Sequence, residues 1–97
     1  MAPVPVGLIG LGNMGGALLA RLLASGPVLG FDIDAPRRAS ASRAGAGVVQ
    51  SVAQLASDCS ILILSLPRPE ISRAVLAQVL AVPREGRLII ETSTITS

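Results

Sequence analysis

This chain of 97 residues contains no lysine, histidine, tyrosine or tryptophan. All eight of its basic residues are arginines, at positions 21, 37, 38, 43, 68, 73, 84 and 87. The side chains that usually serve as general bases near neutral pH are therefore missing, leaving six carboxylates and Cys59. A Ser-His-Asp triad cannot be assembled from these residues. One cysteine with no histidine cannot supply the tetrahedral nitrogen and sulfur ligands of a zinc site. The lone Cys59 also excludes an internal disulfide and fits a reducing cytoplasm, the expected location. Eight scattered arginines, a single aromatic (Phe31) and a net charge of +2 do not make a nucleic-acid surface. No apolar run approaches the ~18 residues of a membrane span. No basic segment precedes the first apolar stretch, so neither a membrane anchor nor a signal peptide is expected.

Hydrophobic residues make up 51% of the chain, which excludes intrinsic disorder, and the length allows one domain. Glycine and proline punctuate it at regular intervals. Val4 to Ile9 reads as a strand followed by a Gly-rich turn, and Met14 to Ser25 as a helix with an apolar stripe at Met14, Leu18 and Leu22. Val28 to Phe31 is a second strand. Asp34 is placed to cap a helix from about Ala35 to Ala44. Val48-Val49 reads as a short third strand, and Ser51 as the cap of a helix through Ala56. Ile61 to Leu66, apolar almost throughout, is a strand expected to be covered on both faces. Pro69 opens a helix with a stripe at Ile71, Val75, Val79 and Val82, widened by Leu76 and Leu80, and Arg87 to Glu91 begins a fifth strand. Strict β-α alternation implies a doubly wound α/β domain whose parallel sheet has right-handed crossovers and helices on both faces. The strand order expected is 3-2-1-4-5.

Gly10-Leu11-Gly12-Asn13-Met14-Gly15 is a G-x-G-x-x-G in the context that gives it meaning, after a strand and opening a helix. Gly10 permits the tight turn, Gly12 leaves room for a pyrophosphate to approach the backbone, and Gly15 lets the helix pack close to the strand. The unpaired N–H groups and dipole of the helix start favour an anion. Asp32 stands twenty positions after Gly12, at the end of strand two, where a carboxylate can accept both hydroxyls of an adenosine ribose. A 2′-phosphate would meet a like charge there, so NAD is favoured over NADP. Arg37 and Arg38 could in principle hold such a phosphate; they are read as solvent-facing helix residues. Cys59 reads as a small, partly buried residue, and Asp58, Glu70 and Glu85 as surface charge.

Residues 7–15, Gly-Leu-Ile-Gly-Leu-Gly-Asn-Met-Gly, resemble the opening signature of the β-hydroxyacid dehydrogenases. These include 3-hydroxyisobutyrate, tartronate semialdehyde and 6-phosphogluconate dehydrogenases. Ile61-Leu62-Ile63-Leu64-Ser65-Leu66-Pro67 is similar to the family's fourth strand, and Glu91-Thr92-Ser93-Thr94-Ile95 to its Asp-x-Ser-Thr-Ile at the end of strand five. The resemblance implies a Rossmann-type cofactor domain. It implies that Leu11, Gly12, Asn13 and Met14 wrap the pyrophosphate and that Asp32 holds the ribose. Asp32-Ile33 stands where NADP-preferring members carry Asn-Arg or Asp-Arg, which again implies NAD. Leu66 and Pro67 match the segment against the riboses, and Thr94 the residue that reaches the nicotinamide. Glu70 lies near a further cofactor position, but the Arg68-Pro69 loop is shorter than usual.

The family's hydride acceptor is activated by a lysine on a later helix, and a helical domain closes the site. The chain has no lysine, so the resemblance implies the NAD-binding part of a longer enzyme acting on a small 3-hydroxyacid. These 97 residues alone are expected to turn over no hydroxyacid. An NADP-dependent imine or pyrroline-5-carboxylate reductase, with a similar glycine loop, is the alternative parent. A stand-alone nucleotide-binding module without catalysis is the alternative from another class. Strand five lies at a sheet edge, and its unpaired backbone together with the high apolar content leads to an expected homodimer or larger assembly.

Overall fold

The computed structural model describes residues 5–66, 68–83 and 86–91, with the side chains of Asn13, Met14 and Pro69 outside the description. Nine elements alternate along the chain: β1 (Val6–Ile9), α1 (Asn13–Ser25), β2 (Val28–Phe31), α2 (Ala35–Ala44), β3 (Gly47–Val48), α3 (Val52–Asp58), β4 (Ile61–Leu64), α4 (Pro69–Leu80) and β5 (Leu88–Glu91). The five strands form one sheet in the order β3-β2-β1-β4-β5. Every pairing is parallel, with Val6 opposite both Val28 and Ile61, and Ile61 opposite Leu88. The expected topology is the one observed.

Neighbouring residues on a strand point to opposite faces, and the two cores follow from this. Ile9, Leu62 and Leu64 face one way and pack with Val52, Leu55 and Ala56 of α3, Val79 of α4, and Cys59. Leu8, Val28 and Ile63 face the other way and pack with Leu19 of α1 and Ala41 of α2. The helix starts obey local chemistry. Asp34 accepts a hydrogen bond from the Arg37 N–H at 3.1 Å, and Ser51 accepts one from the Gln54 N–H at 3.1 Å. Gly45, at φ 113°, closes α2 in the left-handed conformation.

Five details differ from the sequence expectation. β3 lies one residue earlier, at Gly47–Val48, because its register is set by pairing with Leu29 and Gly30 of β2 and not by its own apolar residues. α3 runs on to Asp58, since the Cys59 N–H still reaches the Leu55 carbonyl at 3.0 Å. β4 stops at Leu64: the Ser65 N–H bonds the Ile9 carbonyl at 2.8 Å, but β1 ends there, so Leu66 has no partner in β1. Cys59 is fully buried against Leu55 and Leu62, not partly exposed. Cover is also incomplete: Ile61, Leu88 and Ile90 remain exposed on one face of β4 and β5, and Leu80 is exposed on α4, so it does not widen the buried stripe of that helix. Val4 at the expected start of β1 lies outside the described residues, as do Arg84, Glu85 and residues 92–97.

Arg87 ties the lower end of the molecule together. Its guanidinium donates to the carbonyls of Val79 and Val82 at the end of α4, at 3.0 and 2.8 Å, and to that of Ala56 in α3 at 3.3 Å. A cation at a helix C-terminus complements the helix dipole and satisfies carbonyls that have no partner within the helix. Arg87 thereby supports the end of the sheet remote from the glycine loop.

Candidate functional site

β1, β2 and β4 all deliver their C-terminal ends to one edge of the sheet, and the chain order reverses between β1 and β4. Open α/β sheets bind ligands in the crevice at this switch point. Gly10 to Gly15 follow β1, Asp32 and Ile33 follow β2, and Ser65 and Leu66 follow β4. The structure therefore brings most of the sequence-selected residues to one place.

The three glycines differ in what holds them. Gly10 has φ +101°, and a Cβ there would lie 2.1 Å from the Ser65 carbonyl oxygen. A Cβ on Gly15 would lie 1.9 Å from the Gly10 carbonyl oxygen. Both positions are closed to any side chain by backbone atoms. At Gly12 the three nearest atoms to such a Cβ, at 3.3–3.8 Å, all belong to the mobile end of Arg37. The fold does not need glycine at position 12, so its lack of a side chain serves the space outside the loop. Gly12 is also the N-cap of α1, with no side chain to bond the first turn, and no acidic residue stands in that turn. The N–H groups at such a helix start have no partner within the helix and favour an anion.

Asp32 is buried, and its carboxylate is fixed by the main chain. Oδ2 accepts the Leu11 N–H at 2.8 Å, and Oδ1 accepts the Asp34 N–H at 2.9 Å, an Asx turn. The first bond spans 21 residues and locks the end of β2 to the glycine loop. A carboxylate has about four acceptor positions, so these two bonds leave room for ligand hydroxyls. Ile33, the next residue, is 88% exposed at the rim, and Leu66 is half-buried, its Cδ2 3.2 Å from where a Gly10 Cβ would lie. The backbone of Asn13 and Met14 forms the first turn of α1. Pro67 and Thr94 lie outside the described residues.

Arg37 and Arg38 are not simply solvent-facing. Arg38 Nη1 donates to the Asp32 main-chain carbonyl at 2.6 Å. Arg37 Nη1 lies 3.8 Å from Asp32 Oδ2, and its guanidinium leans over Gly12. A cleft of about 400 Å³ between the starts of α1 and α2 is lined by Leu11, Gly12, Ala17, Pro36, Arg37 and Ser40. Sequence reasoning missed the contribution of α2. The signal was present in spacing: Pro36 and Arg37 stand four and three residues before Ser40, on the helix that follows Asp32. Among the described residues no cluster of His, Cys, Asp and Glu could hold a metal ion. No helix there is long and apolar enough to cross a membrane.

Known proteins give this geometry a family. A protein of Mycobacterium bovis named "Probable 3-hydroxyisobutyrate dehydrogenase" is 38% identical over 93 residues, 94% of this chain and 31% of the relative. The chain thus spans about a third of the length of that relative. The structure of Mycobacterium tuberculosis 3-hydroxyisobutyrate dehydrogenase with L-serine superposes with a TM-score of 0.89 at 32% identity, covering 97% of this chain and 32% of the other. An imine reductase variant from Myxococcus stipitatus in complex with NAD+ shares the fold at 21% identity, with a TM-score of 0.86 over 95% of this chain and 32% of its own. The imine reductase from Myxococcus stipitatus in complex with NADP+ does so at a TM-score of 0.80, over 90% of this chain and 31% of its own. Residues 5–97 match the NAD binding domain of 6-phosphogluconate dehydrogenase, and the chain belongs to that family.

Proposed function

We propose that this crevice binds a nicotinamide dinucleotide, NAD in preference to NADP, as the cofactor-binding part of a dehydrogenase for a small 3-hydroxyacid. The observation that carries the proposal is the pairing of an uncapped helix start at Gly12 with a carboxylate that the loop itself locks in place. Gly10, Leu11, Gly12 and the backbone of Asn13 and Met14 would hold the pyrophosphate. Asp32 would accept the ribose hydroxyls, with Ile33 beside it, and Leu66 would lie against the riboses. The roles of Pro67 and Thr94 rest on the family resemblance alone. The dinucleotide supplies hydride chemistry when bound. These 97 residues offer no lysine, histidine or tyrosine to take the hydroxyl proton, so they would act as the cofactor-holding part. A parent of the imine reductase kind is the second reading, favoured by the guanidinium of Arg37 beside Asp32.

Calorimetric titration of the chain with NAD+ and NADP+ tests the preference. Tighter binding of NAD+ is expected, abolished by Gly12→Val in a chain that still unfolds cooperatively. Tighter binding of NADP+ would contradict it. Self-association through the β5 margin belongs to the same proposal, since Leu88, Ile90 and Ile61 lie exposed on one face in register. Size-exclusion chromatography with light scattering should show a dimer or larger; a monomer at high concentration counts against it.

A further inference from the structure

We infer that Arg38 is a positioning residue of this crevice: by holding the main-chain carbonyl of Asp32 it fixes the carboxylate proposed to meet the ribose. The inference rests on the dinucleotide assignment above. The sheet has a gap beside Asp32. Carbonyls along a strand point alternately to its two neighbours. On β2 the Gly30 carbonyl accepts the Val49 N–H on the β3 side at 3.2 Å, and the Phe31 carbonyl accepts the Gly10 N–H on the β1 side at 2.9 Å. The Asp32 carbonyl therefore faces the β3 side, where β3 has ended at Val48. Beyond it the Gln50 N–H turns to Gln54 Oε1 at 3.3 Å, and Ser51 caps α3. A buried residue's carbonyl left without a partner is costly, and Arg38 Nη1 supplies the donor that the strand does not, at 2.6 Å.

The placement of Arg38 agrees with this role. It is half-buried in the first turn of α2, the positive end of the helix dipole, where a cation is disfavoured unless an acceptor holds it. The bond to the carbonyl also governs the carboxylate. Asp32 Oδ1 accepts the Asp34 N–H at 2.9 Å in an Asx turn, whose closure depends on rotation about the Asp32 Cα–C bond. The same rotation sets where the Asp32 carbonyl points, so the Arg38 bond and the Asx turn fix one torsion from two sides. Releasing the carbonyl frees that torsion and loosens Oδ1, leaving the Leu11 N–H, at 2.8 Å from Oδ2, to hold the carboxylate. Acceptors that are fixed in advance bind a ligand hydroxyl at a lower ordering cost.

Wild type, Arg38→Met and Arg38→Lys are titrated with ADP-ribose and with ADP-ribose lacking the adenosine 2′-hydroxyl. The ratio of the two affinities measures the contact made to that hydroxyl. Arg38→Met keeps the aliphatic stem without a donor and should lower the ratio roughly three- to tenfold, the reach of one hydrogen bond. Arg38→Lys keeps a donor and should restore most of it. An unchanged ratio in Arg38→Met, or an equal loss of affinity for both ligands, overturns the inference and leaves the dinucleotide assignment intact. Wild type that binds neither ligand overturns both. Amide hydrogen exchange of the free chain gives a second readout. In Arg38→Met the Leu11 and Asp34 amides should exchange roughly three- to tenfold faster, with those of Leu8 and Leu62 in the sheet unchanged. Uniform acceleration along the chain, or none at these two amides, counts against a local hold on Asp32 and overturns the inference.

Discussion

Gly15→Ala should destabilise the chain severely. The added methyl would sit 1.9 Å from the Gly10 carbonyl oxygen, and that carbonyl cannot retreat, because the same residue is pressed against Ser65. Relief requires α1 to lift from β1, which would open the core around Leu8 and Leu19. Overpacking in a tight site costs about 1–3 kcal/mol and more where only backbone can move. A domain of this size has a net stability of roughly 5–15 kcal/mol, so a loss of about 4 kcal/mol removes much of it. Gly10→Ala should be as severe, since its φ of +101° adds strain to the clash with Ser65. Gly12→Ala should lose less than about 1 kcal/mol, because only the end of Arg37 must shift. Urea unfolding followed by circular dichroism ranks the three. Equal losses at all three positions would mean that the loop packs differently from the geometry described.

Asp32→Asn carries the second large effect, and it is twofold. The carboxylate accepts the Leu11 and Asp34 N–H groups through different oxygens. An amide can accept at one of these positions only and opposes the other with its own donor. A buried N–H (Leu11) or a part-buried one (Asp34) then loses its partner, which costs about 1–3 kcal/mol where the group is buried. The proposed ribose site would lose its charge at the same time, so discrimination between NAD+ and NADP+ should narrow by roughly ten- to a hundredfold, the range of a charged hydrogen bond. Stability and selectivity are read separately, by urea unfolding and by titration. A variant that is destabilised yet keeps its full selectivity would make Asp32 a loop brace that does not read the ribose.

Much of this was legible because local chemistry and global topology agree. Asp34 and Ser51 cap their helices because a short acceptor side chain preceding a helix has few better uses. The alternation of apolar strands and striped helices permits few arrangements other than a doubly wound sheet. The G-x-G-x-x-G and the acid twenty residues later come together because β1 and β2 are adjacent and parallel. What was not legible depends on tertiary placement. The start of β3 at Gly47 cannot be read from a residue that disfavours strands; its partner in β2 decides it. The direction of Arg37 and Arg38 depends on how α2 docks beside Asp32, and a sequence gives the helix face but not its rotation against the sheet. The exposure of Ile61 likewise depends on what the opposite face of β4 and β5 meets, which its own apolar character does not reveal.

The central claim is that a dinucleotide lies across the C-terminal ends of β1, β2 and β4, over Gly12 and against Asp32. Amide chemical shifts of the isotopically labelled chain, followed during titration with NAD+, test it residue by residue. The account predicts saturable changes at residues 10–16, at Asp32 to Asp34 and at Ser65 and Leu66, with the Arg87 end of the sheet unmoved. No saturable change at millimolar NAD+, or changes centred on β5 and Arg87, would contradict it.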